Sequence, residues 1–415
     1  MGIRESTDIK ASGEHHIDKS NNKVNLNLSG TDINVESSRD AVLFVAGGDR
    51  IVDLILDIVR GGTVPEVSLQ ASGKNFKDLW KGDNFEIKAN MVNGHIFVPI
   101  GDFDLTDVSG DAVIGSGKLE GTNLKAKSGN STGYDGTFVI GIEGPIGPLN
   151  LDIKVDADAA EIPEILKKFI DDKGLIYELS LIENLQGTAS GELKLGDTKK
   201  SPQTRVYVSA LDITGDYKRV PNPVNVKGDK FSFVDKSIDF EGLNVTIGNF
   251  IAPQTTGYYK WKEDKLIKLS SKETNIDMSV LFPWLNSFEI IRPHLRHIDS
   301  MAGSAFFSSV DFTGPVSESD QWEINAQGNV DKIDVNLDGF GSVMTVTKAE
   351  IESSSQNMTL SNASVEIKDS LMSVGAVLKD YFRDNLKFTM DFYGYMLADE
   401  AKLFSDYFSV PEQLD

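Results

Sequence analysis

The chain has 415 residues, 40% of them hydrophobic, and its 41 basic and 63 acidic residues give a formal net charge of −22. This acidity argues against a nucleic-acid partner, which would need a basic surface, and against docking on anionic headgroups through surface charge. There is no cysteine, so disulfides, thiolate metal sites and cysteine nucleophiles are excluded. The length predicts two to four domains or one repetitive array. No apolar run reaches the roughly 18 residues of a membrane-spanning helix.

The first part of the chain has the two-residue period of β-strands, in which apolar and polar side chains alternate. Between the strands predicted at 24–28 and 67–71, the spacing of apolar residues becomes helical. Asp49 is a candidate N-cap, apolar residues of Ile51–Ile58 follow at helical spacing, and Gly61 ends the helix. Asn93-Gly94 separates two later runs and predicts a hairpin turn. The predicted strands are residues 24–28, 67–71, 85–91 and 95–98.

The remaining chain continues this texture and adds three short helices. The second helix is predicted at Ala159–Ile170, with Gly174 as its stop, the third at Asp277–Leu285, and the last from about Ala398. Between the second and third helices, strands are predicted at residues 189–195, 204–213, 231–234, 243–247, 257–261 and 267–270. Three more precede the second helix, at 119–126, 137–142 and 149–155, and a further series runs from Ser304 to Phe392.

The helices recur at intervals of about 112, 116 and 122 residues, which predicts an internal repeat of several strands closed by one helix. A short local match supports it, because Leu185–Ala189 resembles Met301–Ala305 and each precedes a predicted strand. The predicted organisation is the end of a preceding repeat with its short helix at 1–62, followed by repeat units at 63–174, 175–290 and 291–415.

The clearest strand is Gln321–Leu337, where alternation slips near Gly328–Lys332 and predicts a bulge. Four short helices cannot cover the apolar face of so much sheet. The alternatives are a sandwich, a closed barrel, or a curved open sheet filled by something other than this chain. No Pro/Ser-rich linker separates sandwich-sized units. The sequence therefore favours a mainly β fold, a long curved antiparallel sheet forming an open groove.

Four segments resemble the AsmA-like family of bacterial envelope proteins, which includes the YhdP and TamB relatives. They are Leu185–Leu193, Met301–Ala305, Asp311–Pro315 and Trp322–Val330, and the likeness covers about residues 60–410, towards the carboxy-terminal region of such proteins. The resemblance implies a long apolar groove in the periplasm that carries phospholipid towards the outer membrane. It also implies an inner-membrane anchor. Met1–Glu5 begin no signal peptide and the family's membrane helix is missing, so we expect anchoring through a segment outside this sequence.

Metal and catalytic motifs are weak in this sequence. An EF-hand count from Asp102 puts Asp107 and Val113 where glycine and glutamate are needed, so an acidic turn is the better interpretation. His294 and His297 lack further zinc ligands, and no G-x-S-x-G elbow or phosphate loop occurs. We therefore expect no enzyme activity, no metal and no cofactor.

The apolar strand faces are the candidate site, and the expected ligand is phospholipid. The expected partners are inner- and outer-membrane or envelope proteins, with no nucleic acid. An ordinary core filled by the chain's own side chains is the alternative for these faces, and would suit a structural or adhesive β-repeat protein of the cell surface. The residues predicted to line the groove are Ile87, Met91, Val98, Ile153, Val155, Ile324, Ile333, Val335 and Leu337.

Overall fold

The computed structural model describes residues 10–18, 23–39, 55–75, 77–79, 81, 83–98, 102–142, 147–198, 201–262, 265–383 and 386–408. Its strands belong to one antiparallel sheet, which confirms the mainly β prediction. The chain divides into two units. Unit 1 comprises Met1–Phe169 and Ala189–Tyr207, and unit 2 comprises Ile170–Thr188 and Val208–Asp415.

The strands of unit 1 form a meander in which each pairs with the next along the chain. Residues 35–39 and 55–58 are helical, while most of the predicted first helix lies outside the described residues. A 3₁₀ turn at Ala159–Glu161 leads into α1 (Ile162–Lys167). The strands are β1 (Lys10–Asp18), β2 (Lys23–Asn34), β3 (Val59–Gly73), β4 (Phe85–Val98), β5 (Phe103–Gly115), β6 (Lys118–Ser128), β7 (Ser131–Gly141) and β8 (Leu149–Asp158).

Two long strands belong partly to each unit, β9 (Ile182–Thr198) and β10 (Ser201–Tyr217). In unit 2, β10 pairs with two short strands lying end to end, and both also pair with the strand that follows them. The later strands again pair in sequence. They are β11 (Val224–Gly228), β12 (Lys230–Val234), β13 (Ser237–Ile247), β14 (Phe250–Lys260), β15 (Leu266–Asp277), β16 (Ile298–Pro315), β17 (Glu323–Leu337), β18 (Val343–Ser354), β19 (Asn357–Ile367), β20 (Ser370–Lys379) and β21 (Lys387–Tyr395).

Three α-helices lie in the described part of unit 2: α2 (Lys173–Ser180), α3 (Met278–Asn286) and α4 (Ala398–Phe408). Asp172 caps α2 by accepting from Leu175 N at 2.8 Å, and Asp277 caps α3 by accepting from Ser279 N at 2.9 Å. The helix α2 was not predicted. Gly174 lies inside it, so the expectation that this glycine ends a helix was wrong. The helices predicted near 159, 277 and 398 are present.

The hairpin predicted at Asn93-Gly94 is also wrong, because β4 continues through both residues. Asn93 has a φ of 51° and lies where the pairing with β5 changes register between Met91 and Gly94. This is a β-bulge, which needs the same left-handed backbone as a tight turn and hence the same residue types. A local Asn-Gly signal cannot separate the two outcomes.

Bulges recur in the neighbouring strands of unit 1. Asp107 in β5, Asn123 in β6 and Asp135 in β7 have φ values of 50°, 55° and 52°, each at a register shift. Asn and Asp tolerate this backbone region better than other non-glycine residues. Each bulge bends its strand and increases the local twist. The slip predicted near Gly328–Lys332 is likewise a pair of register shifts between β16 and β17.

Candidate functional site

The register of unit 1 places apolar side chains of seven consecutive strands opposite one another. We call these residues the unit-1 row, and pairing joins each to the next. Such direct cross-strand neighbours share one face of a sheet. The unit-1 row consists of Leu28, Leu69, Ile87, Ile114, Leu119, Ile140 and Leu149.

A second line of cross-strand neighbours runs beside it and contains more small residues. Val67, Ala89, Ala112, Phe138 and Leu151 are each partly exposed. Small residues leave space above the sheet that larger side chains would fill. This part of the face is therefore accessible, in contrast to a closed β core.

Beyond these lines, long side chains lie over glycines of adjacent strands. A Cβ added at Gly133 would come within 2.7 Å of Ile153 Cδ1, and one at Gly110 within 2.7 Å of Leu124 Cδ2. Both side chains therefore lie flat across the sheet on the apolar side. Ile153 is partly exposed and lies outside the buried hydrophobic clusters of the described residues.

The apolar face of unit 1 is closed at both ends of β4. At the start of β4, Leu79 of the β3–β4 connection is fully buried in a cluster with Ala71 and Ile114. Near the end of β4, Val98 pairs with Phe103, whose ring stacks on Phe169 at 5.9 Å beyond α1. The 14 residues of β4 extend about 48 Å at about 3.4 Å each. One leaflet of a bilayer core is about 15 Å thick, so this length exceeds that of an acyl chain.

The opposite face of the same strands is polar. Asn150, Asp152, Lys154 and Asp156 alternate with the apolar residues of β8 and are exposed. Lys194 Nζ lies 2.9 Å from Asp152 Oδ2, an ion pair on the outer surface of unit 1. The sheet of unit 1 therefore has one wet face and one apolar face, as its alternation predicts.

Unit 2 contains a more completely buried core, the unit-2 core. Strand pairing places Ala305, Val330 and Ala349 opposite one another on three adjacent strands. In the next line of pairs, Val346 lies between Ile333 and Val365. The buried members are Ala305, Phe307, Ala326, Val330, Ile333, Phe340, Ala349, Ala363, Val365, Ile367, Met372 and Val374.

The helix α4 closes one end of the unit-2 core. Leu403 and Tyr407 pack against it, and the Tyr407 ring lies 5.2 Å from that of the fully buried Phe340. Ser370 joins helix and sheet, because its hydroxyl donates to the buried Glu400 and accepts from Leu397 N at 2.9 Å. Here the chain's own side chains cover the apolar face.

The predicted lining residues divide between these two environments. Ile87, Met91 and Val98 are partly exposed on β4, where Ile87 also packs against the buried cluster that contains Leu79. Ile153 and Val155 are partly exposed on β8. The other four belong to β17, where Ile324, Val335 and Leu337 are partly exposed and pack on the unit-2 core, whereas Ile333 is 6% exposed within it. Leu69, Leu119 and Ile140 were not among the predicted lining residues. Alternation identifies each as apolar-facing, but only the strand pairing shows that they lie in one row.

The weak polar candidates are dispersed among strands and turns. β5 begins at Phe103, so Asp104 and Asp107 lie in a strand, and Asp104 Oδ1 is 2.6 Å from His95 Nε2. His294 packs edge-on against Phe382 at 5.9 Å. Among the residues that the structure describes, no three His, Cys, Asp or Glu side chains converge in a way that could hold a metal ion.

Three titratable side chains of unit 2, Arg219, Glu178 and Tyr217, form a structural cluster. Arg219 donates to Glu178 through Nη2 at 2.7 Å and Nε at 2.9 Å, and Tyr217 donates to the same carboxylate at 2.5 Å. Burial alone would raise the pKa of Glu178, but the hydrogen bonds from Arg219 and Tyr217 outweigh it and lower that pKa. Burial, reinforced by Glu178, raises the pKa of Tyr217. Arg219 also donates to Ser287 O at 2.9 Å, which joins α2 to the end of α3.

No protein-family model, curated protein or solved structure matches this chain. Among the described helices, none has the length and apolar character needed to span a bilayer.

Proposed function

We propose that this chain is a non-enzymatic lipid-binding and transfer module that carries phospholipid along an apolar β-groove. The observation that carries the proposal is the apolar face of unit 1, which is continuous across seven strands and partly exposed. Burying each methylene group contributes roughly 0.8 kcal/mol, so a few contacts retain an acyl chain without selecting its identity. Residues such as Ile87, Met91, Val98, Ile153 and Val155 offer graded, nonspecific contacts of this kind.

The setting we propose is the periplasm of a bacterial envelope, between the inner and outer membranes. The four segments that resemble the AsmA-like family support this setting. The acidic surface is consistent with it, because a carrier that does not adhere to anionic headgroups can release its lipid. The proposed partners are phospholipid and proteins of the two membranes.

We further propose that the groove is built from repeats of about 115 residues, each closed by a short helix. Backbone geometry supports this proposal. Gly62, Gly187 and Gly303 each lie near the start of the strand after a helical segment, with φ values of 115°, 109° and 110°. A Cβ at Gly187 would lie 2.1 Å from Asp212 O, and one at Gly303 2.0 Å from Lys332 O. The two similar glycine phrases thus share a positive φ and a close approach to a carbonyl oxygen of the next strand, which supports the proposed repeat.

The alternative is a structural or adhesive β-repeat protein of the cell surface. The unit-2 core favours it, because there the chain fills its own apolar face. The two proposals differ in unit 1, since a protein with a self-filled core covers its apolar face and the lipid carrier requires that face to be partly exposed.

The test is lipid content. The full chain, purified from cells and examined by native mass spectrometry and lipid extraction, should carry phospholipid. Ile153→Asp should reduce the bound phospholipid several-fold while preserving the cooperative melting transition, because the new carboxylate lies on the lipid path but still reaches water.

The matched control is Asn150→Asp, which adds the same charge to the exposed face of the same strand. It should leave bound lipid unchanged. Wild-type protein free of phospholipid would reject the carrier function in favour of the surface protein, and equal loss in both variants would show that charge, not the apolar face, governs binding.

A further inference from the structure

The last strand of unit 2 has an unusual edge. Within the described part of the chain, β21 pairs with β20 alone. Both of its faces expose large side chains: Phe388 is 54% exposed on one, and Tyr393 and Tyr395 are 76% and 64% exposed on the other. Leu371, directly opposite Tyr395, is 50% exposed. An edge of this kind is normally blunted, because it is a template for another strand.

Elsewhere in the chain, a strand followed by a helix pairs with the strand after that helix. β15 precedes α3 and pairs with β16, and β2 precedes helical residues and pairs with β3. β21 precedes α4 in the same way. By this pattern, the open side of β21 is the position of an antiparallel strand.

We propose that β21 binds an extended segment of another protein as an added antiparallel strand. Main-chain hydrogen bonds along β21 would provide affinity, and alternate side chains of the segment would pack against Phe388 on one face and Tyr393 and Tyr395 on the other. The proposal stands independently of lipid binding.

The net charge of the chain restricts the kind of segment that can bind. A second copy of this chain is disfavoured, because each copy carries a net charge of −22 and full-length self-pairing of β21 places Asp391 opposite Asp391. The segment is therefore neutral or basic, with apolar residues on both of its faces. Small residues around a glycine, as in Met301–Ala305 at the start of β16, fit the pattern of strands that follow a helix.

The experiment uses the full chain and a peptide copied from residues 298–309 with the change Asp299→Asn, which makes it uncharged. At saturating peptide, amide hydrogen exchange in β21 should slow, while exchange in strands paired on both sides should not change. The double variant Tyr393→Lys with Tyr395→Lys should weaken peptide binding about tenfold, since it removes two aromatic side chains that would form cross-strand pairs with the peptide.

The matched control is Tyr207→Lys, which removes another exposed tyrosine, from the long strand β10. It should bind the peptide like the wild type. Unchanged exchange in β21 at saturating peptide, or binding equally weakened by Tyr207→Lys, would overturn the proposal. Concentration-dependent dimers in sedimentation, abolished by the β21 double variant, would assign the edge to a second copy and also overturn it.

Discussion

Neighbouring apolar residues of β17 differ in burial although they share one strand. Ile333 is 6% exposed and pairs with Val346, inside the unit-2 core. Val335, two residues along, is partly exposed and pairs with Met301 and Met344. Alternation predicts one environment for both, whereas the structure buries Ile333 and leaves Val335 partly exposed.

The change Ile333→Asp should destabilise the protein by several kcal/mol, because a carboxylate there is removed from water without a charged partner. Val335→Asp should cost distinctly less, since its carboxylate can reach solvent. Urea denaturation followed by circular dichroism measures both. Equal losses of stability in the two variants would show that the β17 residues all belong to one closed core.

At the scale of the element, bulges give the strands of unit 1 their bends. Asn123 in β6 has a φ of 55°, and its Nδ2 donates to Asp111 Oδ2 on β5 at 2.7 Å. The amide therefore stabilises the bulge in two ways, by tolerating the left-handed backbone and by bonding to the adjacent strand. Similar positions in β4, β5 and β7 hold Asn93, Asp107 and Asp135.

The change Asn123→Val should lower the free energy of unfolding by about 1–3 kcal/mol, because a β-branched residue is strained at positive φ. Asn123→Gly loses the same hydrogen bond without the strain and should therefore be the milder change. The urea midpoints of the two variants provide the comparison. If Val were tolerated as well as Gly, the bulge would not depend on the left-handed backbone.

At the scale of the whole molecule, contacts between distant segments organise unit 2. The carboxylate of Glu178 in α2 holds Tyr217 and Arg219, and Arg219 reaches the end of α3 at Ser287. Its guanidinium also lies over the Phe288 ring, 4.4 Å from the centroid. One ionic junction thereby joins segments about 110 residues apart.

This junction predicts a pH dependence. Because the pKa of Glu178 is lowered in the folded state, its contribution is complete above the ordinary value of 4.5 and is lost as pH falls through the folded-state pKa. Glu178→Gln should therefore be less stable than the wild type at pH 7, with the difference shrinking below about pH 4.5.

Urea midpoints at pH 7 and at about pH 3.5 measure that difference. The control Glu183→Gln removes a carboxylate from an exposed pair with Lys218 and should have little effect at either pH, as exposed pairs contribute little. A difference between wild type and Glu178→Gln that stays constant with pH would contradict the role given to the junction.

Much of the fold can be read from local patterns. Alternation is a property of each strand alone, so the mainly β class, most strands and the helices at Ile162–Lys167, Met278–Asn286 and Ala398–Phe408 follow from sequence. The helix α2 does not, because its Gly174 suggests a stop and its Asp172 cap is recognised only from the bond to Leu175 N. The bulge at Asn93 was not predicted either, because a tight turn and a bulge both need the left-handed backbone that Asn adopts.

A two-faced antiparallel sheet, an acidic surface and the absence of cysteine chemistry follow from residue types and a two-residue period, which are local properties. Which apolar faces are covered depends on the tertiary structure. Register assembles Leu69, Ile87 and Ile114 into one row, and long-range packing of α4 and Phe340 closes unit 2 while much of the apolar face of unit 1 stays partly exposed. Burial depends on neighbours distant in the chain, and alternation carries no information about them.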